Sequence, residues 1–305
     1  MTHDEPSGAR RGARTARRAF AREELRRTRA DAGRPRDPMA GVLRSAAVAV
    51  AVVLALAACA STPAARPTAS SGTLDPVTTT PALTGRLTVF AAASLQGTFT
   101  QLGDQMMAAH PGLTVTFSFG SSGTLTQQLL AGAPADVYAS ASTTTMADAA
   151  SVVGTPTVFT HNSLVIVVPK GNPAGVTGLA DFARPALKIA LCDPSAPCGA
   201  AAKQVFAKAG ITPALDTLGQ DVKATLALVT AGEVDAALVY KTDAIAAGPA
   251  VQAIAVPQAD AVVNDYPIAL VKGTTNPAAA QAFVDEVLSP AGRHVLAAAG
   301  FDPAG

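Results

Sequence analysis

Two of the three cysteines in the chain, Cys192 and Cys198, lie close together in the stretch CDPSAPCG at residues 192–199. Paired thiols suit a metal clip, a redox pair or a structural disulfide. No second ligand pair at zinc spacing accompanies them in the sequence, and the spacing is not the C-x-x-C of redox motifs. The choice therefore depends on the compartment in which the protein folds.

Serine or glycine recurs where a predicted strand passes into a predicted helix. Ser94 follows LTVFAAA, and Ser122 lies in GSSGTL. Such a joint directs unpaired backbone N–H groups and the positive end of a helix dipole at one point, which suits an anion. At any one joint serine is also simply a good helix cap, and we expect Ser94 to cap the helix that follows it. The recurrence of the joint favours an anion site.

These serines do not form a recognisable catalytic set. The stretch GSSG at residues 120–123 is not the G-x-S-x-G of hydrolases, and no sequence signal links His110 or His161 to it. We therefore expect the chain not to be an enzyme.

The composition describes a globular body behind a basic leader. The chain has 305 residues, of which 49% are hydrophobic and 15% charged, enough for a core and for two lobes. It has no Trp and three Tyr, which argues against nucleic acid as a partner. The first 44 residues carry 12 Arg, whereas the part after Cys59 has 11 Lys and Arg against 16 Asp and Glu.

The leader has the features of an export signal. Residues 46–58, AAVAVAVVLALAA, form an apolar run that is too short to span a bilayer as a helix. The junction LALAAC resembles the lipobox of bacterial lipoproteins, in which the cysteine, here Cys59, is lipidated after cleavage. The alternative is an uncleaved membrane anchor with an incidental cysteine.

The leader divides into three segments. Residues 1–38 are an Arg-rich extension, residues 39–58 the lipoprotein signal peptide, and residues 59–85 the lipidated cysteine with a flexible Pro-, Ser- and Thr-rich tether. Met39 is the expected true start, and a long basic leader from Met1 is the alternative. We expect an exported protein, anchored by lipid to the outer face of the cytoplasmic membrane.

Export also bears on the cysteines. Lipidation uses Cys59, which leaves Cys192 and Cys198 as an even pair in an oxidising compartment. We therefore expect a local disulfide between them, bracing the loop that they flank.

From residue 86 onward, short apolar strands alternate with amphipathic helices, which predicts an α/β protein with mixed, mostly parallel sheets flanked by helices. Several stretches of this body resemble the molybdate-binding proteins of ABC importers, which are type II periplasmic-type binding proteins. The matching stretches cover most of residues 86–305 in the order of the family. They are LTVFAAASL (87–95), FSFGSSGTLTQQLLAGAPADVYASA (117–141), NSLVIVVPKGNP (162–173), DVKATLALVTAGEVDAALVYKTDA (221–244) and DYPIALVKGTTNPAAAQAFVDEVLSPAGR (265–293).

The resemblance implies two lobes with the ligand between them. The chain would cross between lobes near residues 161–165 and again near 262–266. The first lobe would then combine residues 86–162 with 266–305, and the second would comprise residues 163–265.

The resemblance also implies a site for an oxyanion. Carried over residue by residue, it assigns hydroxyl and amide donors to Ser94 and Ser122, a phenol to Tyr240, and backbone amides to Val222 and Cys198. At Cys198 the family has Ala, and the Tyr that usually follows is absent here, so the resemblance does not supply the packing that supports this amide. The set would hold the metal oxyanion as cargo, with no cofactor.

Molybdate and tungstate are tetrahedral dianions that only accept hydrogen bonds, so their site should present donors and no carboxylate. Sulfate has the same chemistry in a smaller ion and remains the alternative. Phosphate, which often keeps a proton, would favour an acceptor, for which Asp193 is the nearest candidate unless it is only a turn residue. Iron(III) carriers tend to use Tyr pairs, whereas Tyr138, Tyr240 and Tyr266 are dispersed in the sequence.

The expected partners follow from the resemblance. They are the oxyanion, an ABC permease with its cytoplasmic ATPase, and the membrane through the lipid anchor. The protein is expected to act as a monomer.

Overall fold

A computed structural model describes residues 82–304 of the chain. The Arg-rich extension, the signal peptide, Cys59 and most of the tether lie outside the described residues, so the predictions made for them are not addressed by the fold.

The described part alternates strands and helices. The strands are β1 (Gly85–Ala92), β2 (Leu113–Gly120), β3 (Val137–Ala139), β4 (Thr157–Asn162), β5 (Leu164–Pro169), β6 (Ile189–Cys192), β7 (Thr217–Gly219), β8 (Ala236–Tyr240), β9 (Val251–Ile254), β10 (Asn264–Leu270) and β11 (Asp302–Pro303). The helices are α1 (Gln96–Ala109), α2 (Ser122–Leu130), α3 (Thr143–Asp148), α4 (Pro197–Ala209), α5 (Val222–Thr230), α6 (Lys241–Ala247), α7 (Pro277–Leu288) and α8 (Pro290–Ala298).

Two sheets organise these elements. One has six strands in the order β11-β4-β10-β3-β1-β2, and the other has five in the order β7-β6-β8-β5-β9. Helices flank both sheets, and separate clusters of buried apolar residues pack against each. The predicted α/β fold with two lobes is confirmed.

The expected predominance of parallel pairing is not seen. Four strand pairings are parallel and five are antiparallel within the described sheets. The antiparallel pairs all involve β4, β5, β9, β10 or β11. A strand can pair in parallel with a strand close to it in sequence only through a long crossover connection. Strands β4, β5 and β10 adjoin the points at which the chain passes directly between the sheets, and they pair antiparallel.

The chain changes sheet twice. Between β4 and β5 only Ser163 intervenes, and the return runs from the 3-10 turn at Pro257–Ala261 into β10. Strand β10 begins at Asn264, which pairs with Asn162 of β4. Residues 85–162 and 264–303 thus supply the six-stranded sheet, and residues 164–254 supply the other.

Local sequence explains several features of the helices. Phe99, Leu102 and Met106 recur at helical spacing and are buried on one face of α1. The Asn276 side chain caps α7 by accepting a hydrogen bond from the N–H of Ala279, and Pro277 occupies the first turn. Helix α4 ends at Gly210, whose positive φ of 65° suits a residue without Cβ. No helix in residues 82–304 has the length and apolarity needed to cross a membrane.

Candidate functional site

A small cavity lies between the two sheets, at the ends of strands that lead into helices. The structure brings the five sequence-predicted residues together around it: Ser94, Ser122, Cys198, Val222 and Tyr240. Its volume is about 10 Å³, far below the roughly 300–1,000 Å³ of pockets for drug-sized molecules. The cavity is therefore far too small for a drug-sized molecule, and its volume is close to the roughly 10–15 Å³ that holds one water molecule.

Three helices begin at the cavity. Ser122 opens α2, Val222 opens α5, and Cys198 is the second residue of α4. N–H groups in the first turn of a helix have no partner inside the helix, and the helix dipole is positive at that end. A fourth segment at the cavity is the 3-10 turn Ala93–Leu95, which contains Ser94 and continues into α1. This convergence directs the positive ends of several helix dipoles at the cavity.

The Ser122 hydroxyl is set to donate into the cavity. Ser122 is 1% exposed, and its Oγ accepts a hydrogen bond from the N–H of Ala141 at 3.0 Å. That bond leaves the hydroxyl hydrogen available for another acceptor. The neighbouring Ser121 also lines the cavity, and its buried Oγ has no hydrogen-bond partner among the described residues. Ser121 is not among the residues predicted from the sequence, although its place beside Ser122 in the same glycine-flanked loop was the available signal.

Ser94 does not cap the following helix, contrary to expectation. It lies inside the 3-10 turn, so its side chain points toward the sheet and its Oγ lies 2.9 Å from the Tyr266 hydroxyl. Tyr266 in turn receives a longer hydrogen bond, 3.4 Å, from Nδ2 of Asn162. Tyr266 thus orients a cavity hydroxyl without lining the cavity itself.

Tyr240 supplies a buried phenol. Its hydroxyl is buried and has no hydrogen-bond partner among residues 82–304. Burial raises the pKa of Tyr240 well above its ordinary value, so the phenol stays neutral and keeps its proton as a donor. The three tyrosines are less dispersed than the sequence suggested, because Tyr240 packs edge-to-face on Tyr266 with ring centroids 5.9 Å apart. Of this pair, only Tyr240 lines the cavity.

The predicted disulfide between Cys192 and Cys198 is present, and both residues are buried. It joins the end of β6 to the first turn of α4, and Cys198 lines the cavity. Asp193, the candidate acceptor for a protonated anion, instead accepts hydrogen bonds from the N–H and Oγ of Ser195 at 2.9 and 2.6 Å. These bonds lower the pKa of Asp193, and they hold its carboxylate within the turn that contains Ser195.

One carboxylate stands at the cavity, contrary to the expectation of donors alone. Asp221 is among the lining residues, but its Oδ1 accepts a hydrogen bond from the N–H of Ala224 at 2.9 Å and caps α5. In that role it stabilises the helix whose first amide belongs to Val222. Of the described residues that line the cavity, none is Lys, Arg or His, so His110 and His161 are not partners of its serines.

Comparison with known proteins identifies relatives over the same span. Residues 87–302 match the family model described as bacterial extracellular solute-binding protein. The chain is 43% identical over 220 residues to the molybdate-binding protein ModA of Mycobacterium tuberculosis, covering 70% of this chain and 84% of that protein. It is 32% identical over 226 residues to the putative ABC transporter substrate-binding lipoprotein YvgL of Bacillus subtilis, covering 70% and 85%. The solved periplasmic molybdate-binding protein of Azotobacter vinelandii shares the fold, with a TM-score of 0.62 at 23% identity, covering 72% of this chain and all of that one.

Proposed function

The chain belongs to the molybdate-binding protein family of bacterial extracellular solute-binding proteins, and we propose that it captures molybdate or tungstate in the cavity between its lobes. The observation that carries this proposal is the Tyr240 hydroxyl, a buried and neutral donor without a partner among the described residues, at a cavity where three helices begin. The family of solute-binding proteins supports the expectation that the chain is not an enzyme.

The donor inventory suits a tetrahedral dianion. Ser94 and Ser122 each offer a hydroxyl and an amide, Cys198 and Val222 each offer an amide, and Tyr240 offers its phenol. These seven donors, at roughly 1.5–3 kcal/mol for each hydrogen bond to a charged group, total about 10–21 kcal/mol, against the roughly 12 kcal/mol of a nanomolar complex. The upper part of that range also covers the ordering and desolvation costs of binding.

Molybdate and tungstate fit this inventory better than phosphate does. Phosphate keeps a proton near neutral pH, yet Asp193 serves its own turn and Asp221 caps α5. Asp193 does not line the cavity, and among the described lining residues Asp221 Oδ2 alone remains to accept the proton of a bound monoanion.

Titration calorimetry of the purified protein tests the proposal. Molybdate and tungstate are expected to bind with similar affinity, and sulfate and phosphate at least about tenfold more weakly. Binding of sulfate without binding of molybdate would overturn the molybdate assignment and leave the sulfate alternative.

We further propose that the protein works outside the cytoplasmic membrane, held there by lipid on Cys59, and delivers its ligand to an ABC permease driven by a cytoplasmic ATPase. The export signal and lipobox of the sequence support this, as does the word lipoprotein in the name of the Bacillus subtilis relative. No resident cofactor is required, because the oxyanion is cargo. Replacement of Cys59 by Ala is expected to move the protein from the membrane fraction to the medium.

A further inference from the structure

The two lobes approach each other closely at Gly123. This glycine is the second residue of α2, in the first lobe, and the opposing group is the backbone of Ser195, in the second lobe. A Cβ added to Gly123 would lie 2.5 Å from the Ser195 carbonyl oxygen and 3.5 Å from its carbonyl carbon. Real side chains do not tolerate the shorter distance, so only glycine permits this approach.

The Ser195 carbonyl belongs to a loop that is tied down on several sides. The Asp193 carboxylate accepts hydrogen bonds from the N–H and Oγ of Ser195, and the Asp193 carbonyl accepts one from the N–H of Ala196 at 2.9 Å. The N–H of Asp193 donates to the Gly219 carbonyl at 2.8 Å. The Cys192–Cys198 disulfide closes the loop at its base. The carbonyl is therefore not free to swing aside.

The backbone around Gly123 is equally constrained. The Ser122 carbonyl accepts a hydrogen bond from the Tyr138 hydroxyl at 2.9 Å, and the Ser122 side chain accepts one from the N–H of Ala141. The N–H of Leu125 donates to the Ser121 carbonyl at 3.0 Å as the helix begins. The contact thus joins two firmly held backbones.

The contact also lies beside the donors of both lobes. Gly123 directly follows Ser122, and Ser195 precedes Cys198 by three residues on the same braced loop. A change in the separation of the lobes here alters the distance between the Ser122 donors and the Cys198 amide.

We propose that the Gly123–Ser195 contact sets how closely the lobes approach, which makes Gly123 a positioning residue for the bound oxyanion. This inference rests on the proposed function. Nonbonded heavy atoms prefer separations near 3.5 Å, so a methyl group at position 123 would hold the lobes apart by roughly 0.5–1 Å. Hydrogen bonds need donor and acceptor within about 2.7–3.2 Å. One ion would then fail to satisfy the donors of both lobes together.

The test compares Gly123→Ala with Gly97→Ala. Gly97 is also the second residue of its helix, α1, and a Cβ added there meets no other atom within 4 Å. Both variants gain similar helix propensity. Rates of molybdate association and dissociation are measured by stopped flow, together with the melting temperature without ligand.

For Gly123→Ala we expect the dissociation rate to rise by about tenfold or more while the association rate stays within about twofold, since encounter precedes closure. The melting temperature without ligand should not fall, and Gly97→Ala should match the wild type throughout. X-ray scattering of the ligand-saturated proteins should show Gly123→Ala as the more expanded.

Three results would overturn the inference and leave the proposed function in place. The first is that Gly123→Ala binds and releases molybdate at the wild-type rates. The second is that only its association rate falls. The third is that its affinity falls together with its melting temperature without ligand. Failure of the wild type to bind molybdate or tungstate would instead overturn the proposed function, and the inference with it.

Discussion

At the scale of single residues, side-chain and main-chain donors at the cavity respond differently to mutation. The Ser122 hydroxyl can donate because its oxygen already accepts from Ala141, whereas Val222, which also lines the cavity, is proposed to offer only its N–H. A side-chain truncation removes the first donor and spares the second.

We therefore expect Ser122→Ala to weaken molybdate binding by about 10- to 150-fold, the equivalent of one hydrogen bond of roughly 1.5–3 kcal/mol to a charged group. Val222→Ala should change affinity by less than about threefold, since it keeps the amide. Calorimetry on both variants is the measurement, with melting temperatures to account for the Ala141 amide that Ser122→Ala leaves unpaired. Comparable losses in the two variants would show that the donors are misassigned.

The second residue-scale prediction concerns pH. Burial raises the pKa of Tyr240 well above its ordinary value of 10.0, so the donor form persists across the neutral and mildly alkaline range. We expect the molybdate affinity of the wild type to be constant from about pH 7 to pH 10, the unperturbed pKa of tyrosine. Tyr240→Phe should bind more weakly by a factor that does not vary over this range. A decline in wild-type affinity that begins below pH 9, and that Tyr240→Phe abolishes, would contradict this account.

At the scale of elements, the disulfide joins strand β6 to helix α4. The loop that it closes is short, so the chain-entropy model assigns it only about 2.4 kcal/mol of stabilisation. Because the disulfide includes Cys198, whose amide is proposed to bind the anion, we expect a second effect on binding, at the place where the tyrosine implied by the family resemblance is absent.

For the double variant Cys192→Ser with Cys198→Ser, we expect the free energy of unfolding to fall by about 2.4 kcal/mol and the molybdate affinity to fall as well. Wild-type protein reduced with dithiothreitol should behave in the same way. Denaturant titration and calorimetry give the two quantities separately. Lower stability with unchanged affinity would limit the bridge to a structural role.

At the scale of the whole molecule, a buried asparagine links the two lobes. Asn162 ends β4 and is fully buried. Its Nδ2 donates to Thr242 Oγ1 of the second lobe at 2.9 Å, and the same group lies 3.4 Å from the Tyr266 hydroxyl of the first. Its Oδ1 accepts from the N–H of Ser163, the residue at which the chain changes sheet.

Asn162→Ala should therefore lower the free energy of unfolding by about 1–3 kcal/mol, because the Thr242 hydroxyl and the N–H of Ser163 lose their hydrogen-bond partner. It should also weaken molybdate binding, since Tyr266 orients the Ser94 hydroxyl. Gln252→Ala, on an exposed position of β9, serves as control and should stay within about 0.5 kcal/mol of the wild type. Equal stability of the two variants in urea titrations would exclude a role for Asn162 in joining the lobes.

The sequence by itself determined the order of strands and helices, the α/β class and the residues that the family resemblance assigned to the site. These depend on neighbours along the chain: Phe99 and Leu102 at helical spacing, Asn276 before Pro277, and Gly210 at the end of α4. Side-chain periodicity and helix capping act over a few residues. Such features can be predicted without knowledge of the rest of the chain.

Only the tertiary structure decided which distant groups meet. The Ser94 hydroxyl lies beside the Tyr266 hydroxyl and does not cap a helix. Asp221 places a carboxylate at the cavity, and Gly123 packs against the backbone of Ser195. Ser94 and Tyr266 are 172 residues apart, and Gly123 and Ser195 belong to different lobes. Contacts of this kind depend on how two separately packed sheets come together, which local periodicity does not encode.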